Sequence, residues 1–174
     1  MPTDTPTATS TDDTLFDRPV PIRTGPERVA PEWIDYNGHM NVAYYTMAFD
    51  RALDAVYDAI GIGPEAARTA GMGPMALQTQ IHYLGELVED EEYVCDTIVL
   101  DTDAKRVHVF VEMRKDSGSV AATYESLTMN VDLTARRSAP FPEGAANRLA
   151  RLKVAHSGLP RPDQVGAPIG IRRR

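Results

Sequence analysis

The pattern that most limits the fold is one long amphipathic helix followed by four strand-like runs with little between them. Tyr45, Ala48, Phe49, Ala52, Val56 and Ile60 recur at spacings of three and four, so one stripe of a helix over residues 41–60 is apolar. Asp50, Asp54 and Asp58 line another face, four residues apart, and their repulsion means that packing must hold the helix. Gly61 and Gly63-Pro64 end it, and residues 64–73 read as a loop or short helix. Strand patterns cover residues 74–84, 91–100, 106–114 and 119–133. In the third, Val107, Val109, Val111 and Met113 share one face, with His108, Phe110 and Glu112 on the other. Turn signals separate the runs at Gly85-Glu86, Asp101-Thr-Asp103 and Asp116-Ser-Gly118, the last a tight hairpin. Short connections make neighbouring strands antiparallel. A closing helix over residues 142–156 carries Ala145, Leu149 and Leu152 on one face. Upstream, Val20-Pro-Ile-Arg23 reads as a short strand and residues 27–35 as extended. The fold class is therefore α+β, with an antiparallel sheet wrapped around a long central helix. A single sheet leaves its edges and a second face uncovered, so at least a dimer is expected.

A chain of 174 residues with 43% hydrophobic content forms one domain, here expected over residues 19–156. Residues 1–18 are rich in Thr, Asp and Pro and read as a disordered tail; residues 157–174 read as a loose one. A net charge of −7 argues against nucleic-acid partners and anionic membranes. No apolar run is long enough to span a bilayer, and the first residues lack the regions of a signal peptide. Cys95 is the only cysteine, which excludes an intramolecular disulfide and a cysteine-built metal site. His39, His82, His108 and His156 show no metal-ligand spacing, so no metal is expected. These features fit a soluble cytoplasmic protein.

Chemistry concentrates in Trp33-Ile-Asp-Tyr-Asn-Gly-His-Met-Asn41. Asp35-Tyr-Asn-Gly38 is a turn signal, and the helix opens directly after it. A helix N-terminus presents unpaired N–H groups and a partial positive charge, which suit a phosphate or a developing oxyanion. A carboxylate beside it suits a general base or nucleophile. On spacing alone the plainer reading is favoured, with Asp35 capping a turn and Asn41 capping the helix.

Asp35-Tyr-Asn-Gly-His-Met-Asn41, followed by an aromatic-rich helix and four strands, resembles the hotdog-fold acyl-CoA thioesterases of the 4-hydroxybenzoyl-CoA type, over residues 20–155. A narrower resemblance, to the betainyl-CoA thioesterases of carnitine catabolism, is carried by residues 31–45, by Asp103-Ala-Lys-Arg-Val-His108 and by Asp132-Leu-Thr-Ala-Arg-Arg-Ser-Ala-Pro140. The resemblance implies a hotdog fold and hydrolysis of an acyl-CoA thioester, with Asp35 either activating water or attacking the carbonyl. It implies that a backbone N–H within Gly38, His39, Met40 and Asn41 holds the oxyanion; losing one such donor costs about 3–4 kcal/mol of barrier. His39 is expected to orient rather than to transfer protons. Lys105 and Arg106 would otherwise be solvated surface charge, and here become candidates for the phosphates of coenzyme A. Trp33, Tyr36, Tyr83 and Phe110 are expected substrate-binding aromatics, Trp33 and Tyr36 foremost because they flank Asp35 and a quaternary ammonium favours an aromatic face. No cofactor is expected beyond the coenzyme A of the substrate, and the site commonly lies between subunits of a homodimer or homotetramer, with Tyr83 or Arg106 acting across it. The alternatives are a thioesterase for another short or aromatic acyl-CoA, or a non-catalytic acyl-CoA-binding module. A dehydratase of the same fold would need a differently placed His and acid, and that pattern is not found.

Overall fold

A computed structural model describes residues 13–171. Six strands form one antiparallel sheet: β1 (Ile22–Arg28), β2 (Met72–Tyr83), β3 (Glu92–Thr102), β4 (Arg106–Lys115), β5 (Val120–Asp132) and the short β6 (Arg137–Ser138). Their order is β1-β3-β4-β5-β2, with β6 added to β5. The three strands joined by short turns are neighbours, whereas β2, reached from the long helix, lies at the far edge beside β5. Helix α1 (Val42–Ile60) fills the hollow of the sheet, α2 (Pro64–Ala70) follows it, and α3 (Glu143–His156) packs on β3.

The expected stripe of α1 is the buried one: Tyr45, Ala48, Phe49, Ala52, Val56 and Ile60 are all in the core. Each such fully buried large side chain contributes roughly 1.5–3 kcal/mol. That outweighs the repulsion along Asp50, Asp54 and Asp58, a few tenths of a kcal/mol per pair. Facing them on the sheet are Val107, Val109, Val111 and Met113, none of them accessible. The inner face of β5 carries polar groups instead, and two of them are bonded to one another and to α1. Tyr57 donates to Thr128 Oγ1 at 3.0 Å, and Thr128 Oγ1 lies 3.2 Å from Ser126 Oγ.

Three segments differ from expectation. Residues 1–12 of the expected N-terminal tail lie outside the described part, but Asp13–Asp17 forms a 3-10 turn. Leu15 and Phe16 are buried there, and Arg151 of α3 clamps the turn through Asp13 at 2.9 Å and Asp17 at 2.8 Å. The run over residues 27–35 is not continuously extended: β1 stops at Arg28 and Pro31–Trp33 is a 3-10 turn, as Pro31 favours at a helical first position. Of the expected C-terminal tail, residues 172–174 lie outside the described part, and residues 157–167 are not loose, because they cross the outer face of the sheet. Leu159, Pro160 and Pro162 pack near Ile98 and Phe110, Gly166 N–H donates to Glu125 Oε2 at 2.7 Å, and Gln80 Nε2 donates to Ala167 O at 2.6 Å. The second face of the sheet is therefore partly covered by the chain itself. Among the described residues no helix is long and apolar enough to cross a membrane.

His156 closes the structure at the end of α3. Its Nδ1 accepts from Val99 N–H at 2.9 Å, and its Nε2 donates to Val20 O at 3.0 Å. Burial pushes its pKa below the ordinary histidine value. The unfolded chain therefore takes up this proton first as pH falls, so the stabilisation is present above about pH 6.5 and is lost below it. Between pH 7.5 and 5.5, urea midpoints are expected to fall further for the wild type than for His156→Gln. Parallel pH profiles would refute the assignment.

Candidate active site

The stretch around Asp35 is a strand-like turn closed against a helix start. Asp35 N–H donates to His39 O at 3.0 Å and Asn41 N–H to Trp33 O at 2.8 Å, pairing Ile34 with Met40 in a single antiparallel bridge. Gly38 N–H donates to Asp35 O at 3.0 Å, and Gly38 has φ +84. A Cβ there would meet nothing, so glycine is favoured by backbone conformation alone. Asn41 Oδ1 accepts from Ala43 N–H at 3.0 Å and caps α1. The turn is also tied to the loop that leaves β2: Met40 N–H donates to Leu87 O at 2.7 Å, and Leu87 N–H donates to the Tyr45 hydroxyl at 3.1 Å. Between turn and loop lies a cavity of about 420 Å³. It is lined by Asp35, His39 and Met40 of the turn, by Val42 and Tyr45 of α1, and by Tyr83, Leu84, Gly85 and Glu86 from the end of β2 and its loop.

The two carboxylate oxygens of Asp35 are differently engaged. Oδ1 accepts from Asn37 N–H at 2.8 Å, the capping role. Oδ2 has no protein partner among the described residues, and the side chain is only 13% exposed. His39 Nδ1 is 3.9 Å from Asp35 Oδ1, beyond hydrogen-bond distance, and 3.4 Å from Met40 O. The N–H groups of Gly38, Met40 and Asn41 are engaged by Asp35, Leu87 and Trp33, and that of Ala43 by the cap. Among the described residues, the backbone donors from Asp35 to Tyr44 without a protein acceptor are those of Tyr36, at the exposed turn tip, and of His39 and Val42, which line the cavity. The signal for Val42 was available, since the first residue after an N-cap always carries an orphan N–H.

The other expected residues are divided. Tyr83 stands on the cavity wall, edge-to-face with Tyr45 at 5.3 Å between ring centroids. Burial raises the pKa of both phenols. Trp33 is buried behind the turn, stacked on Tyr44 at 5.4 Å with the Arg51 guanidinium 5.8 Å from its ring centre. Tyr36, at the turn tip, is 96% exposed and outside the cavity lining. Phe110 is buried on the outer face of the sheet, beneath the C-terminal segment. Lys105 and Arg106 occupy the β3–β4 turn, where Arg106 pairs with Asp103 at 2.6 Å and Lys105 O accepts from Asn130 N–H at 2.8 Å. Tyr83 pairs with Ala122, so within one chain the basic turn lies about 26 Å from it at some 3.3 Å per strand residue. Sequence reasoning placed Tyr45 in the core and did not single out Val42, Leu84 or Glu86. Among the described residues no group of three or more His, Cys, Asp or Glu could hold a metal ion. Cys95 is buried and its thiol is pushed up to about 12 by that burial, which removes thiolate chemistry.

Comparison with known proteins gives a consistent result. The family model described as the thioesterase-like superfamily matches residues 29–149. A betainyl-CoA thioesterase of Pseudomonas aeruginosa is 35% identical over 144 residues, covering 82% of this chain and 91% of that protein. An L-carnitine dehydrogenase/betainyl-CoA thioesterase of Rhizobium meliloti is 32% identical over 88% of this chain, which spans 31% of that longer protein. A hypothetical protein of Staphylococcus aureus, solved in complex with CoA, superposes with a TM-score of 0.80 at 27% identity over 85% of this chain and 94% of its own.

The cap on α1 can be tested separately from the chemistry. Asn41→Ala is expected to lower unfolding stability by about 1 kcal/mol, and Asn41→Asp by much less, as read from urea midpoints. Equal losses would mean that the cap does not carry the effect.

Proposed function

The chain belongs to the thioesterase-like superfamily, and from that premise we propose that it hydrolyses betainyl-CoA to glycine betaine and coenzyme A. It is an acyl-CoA thioester hydrolase, and its relatives' printed names support the choice of acyl group. The observation that carries the reading is Asp35, which lines a cavity at the start of α1 and whose Oδ2 has no protein partner among the described residues. A thioester carbonyl seated there directs its oxygen at the Val42 N–H, within the positive end of α1. Asp35 enters as an ionised carboxylate in one of two ways. It takes a proton from the water that attacks the carbonyl carbon, or Oδ2 itself attacks and water then cleaves the mixed anhydride. In the first route the tetrahedral oxyanion collapses, the C–S bond breaks and the thiolate of coenzyme A takes up the proton that Asp35 holds; in the second, collapse expels the thiolate and forms the anhydride, and the water that cleaves it regenerates the Asp35 carboxylate, releases glycine betaine and supplies the proton that neutralises the thiolate. Coenzyme A enters only as part of the substrate. We place the reaction in the cytoplasm, in keeping with a composition that has a single cysteine.

We infer that the working form is a homo-oligomer built on β2. That strand is paired on one side only, and Met75, Leu77, Tyr83 and Leu84 are exposed along or beside it. Antiparallel pairing of β2 with its copy sets the Tyr83 end of one strand beside the Met72 end of the other. Met72 pairs with Asp132, next to the turn that carries Arg136 and Arg137, and Lys105 Nζ is 3.4 Å from Ser138 Oγ in the same corner. The basic corner of one subunit thereby approaches the cavity of the other, where the phosphates of coenzyme A emerge.

Thiol release over a panel of acyl-CoA esters tests the chemistry. Asp35→Asn is expected to lower kcat by about 10²–10⁴-fold. Turnover surviving in that variant removes Asp35 from the reaction, and binding without turnover on any thioester replaces the hydrolase by a binding module. Leu77→Lys on β2 is expected to convert a dimer into monomers in analytical ultracentrifugation and to abolish turnover. A wild-type monomer with full activity would exclude assembly through this edge.

A further inference from the structure

The cavity at the start of α1 is lined by two carboxylates and by no Lys or Arg. Asp35 is accounted for by the reaction. Glu86 is not: it stands in the β2–β3 loop, exposed, and among the described residues it has no ion-pair partner. Glu89 on the same loop is likewise without an ion-pair partner but lies outside the cavity lining, and the acidic residues that follow are paired. Glu91 pairs with Lys115 at 3.0 Å, and Asp90 and Glu92 share Arg28 at 3.5 Å and 3.0 Å. Beside Glu86 stand the two cavity aromatics, Tyr83 and Tyr45, in an edge-to-face pair. The Tyr45 hydroxyl is already held by Leu87 N–H, which fixes that ring against the wall.

We propose that Tyr83, Tyr45 and Glu86 form a filter for the charge of the acyl group, selecting one that carries a fixed cation near the thioester and rejecting one that carries a carboxylate. This rests on the betainyl-CoA reading. A quaternary ammonium has no hydrogen to donate, so only aromatic surface and negative potential can recognise it. Glu86 supplies the potential without contact, because Coulomb attraction persists over several ångströms in a partly desolvated site. The same potential repels acyl groups with a terminal carboxylate, so one residue both attracts the right charge and excludes the wrong one. Trp33, the aromatic that the sequence places nearest to Asp35, does not fill this role, since its ring is covered by Tyr44 and by the Arg51 guanidinium.

The test compares betainyl-CoA with 3,3-dimethylbutanoyl-CoA, which has the same shape with carbon in place of the charged nitrogen. The readout is the ratio of kcat/KM for the two esters. The wild type is expected to favour betainyl-CoA. Glu86→Gln is expected to cut the ratio by about tenfold, chiefly through KM of the cationic ester, and Tyr83→Leu by about fivefold. Glu89→Gln, on the same loop but outside the cavity lining, serves as control and keeps the wild-type ratio. A Glu86→Gln variant that loses equally on both esters overturns the filter and leaves the substrate reading standing. A wild type that hydrolyses both esters with no preference likewise overturns the filter alone, and one that hydrolyses neither overturns both.

Discussion

The cavity depends on one exchange of hydrogen bonds, between Met40 N–H and Leu87 O and between Leu87 N–H and the Tyr45 hydroxyl. It joins two segments that are far apart in the chain, the turn that opens α1 and the loop that leaves β2. All three side chains are buried, so the bonds are shielded from competing water. With this clasp in place, Asp35, Tyr83 and Glu86 line one cavity. Burial of the Tyr45 stripe and the geometry of the cavity are consequently one problem, since the same tyrosine serves both.

The helix start shows how a polar turn can be fully bonded and still leave reactive groups. Capping and bridging engage most donors between Asp35 and Tyr44, and that bonding holds the turn rigid. What remains is small: at the exposed tip the Tyr36 N–H, and at the cavity one carboxylate oxygen and the N–H groups of His39 and Val42. Preorganisation of this kind stabilises charge without rearrangement during the reaction. The plain capping reading of Asp35 and the catalytic one are therefore compatible, because they use different oxygens.

Much of the fold was legible because its signals are periodic. The stripe from Tyr45 to Ile60 and the alternation from Val107 to Met113 each follow a period that only one element satisfies, and both lie in the core. The order of the strands was not legible, since nothing local says that β2 pairs with β5. Phe110 illustrates a second limit. Its alternation put it opposite the core, yet it is buried, because a segment some fifty residues later folds over it. The site divided in the same way. Asp35, His39 and Met40 are close in sequence and share the cavity, whereas Glu86 arrives there only through tertiary contact. Trp33 is adjacent to the site in sequence but turned away from the cavity by its stacking on Tyr44.

The segment that covers Phe110 also limits how subunits can meet. Gly166 and Ala167 hydrogen-bond to Glu125 and Gln80 on the outer face, and Leu159 and Pro160 lie over Ile98. Over that area the sheet already has a second layer, made of irregular chain rather than of another sheet. Two copies cannot stack their outer faces flush there without first displacing residues 157–167 of their own backbone. Growth in that direction is blocked by the chain itself. The barrier to such stacking is made of the stretch of sequence with the least regular structure.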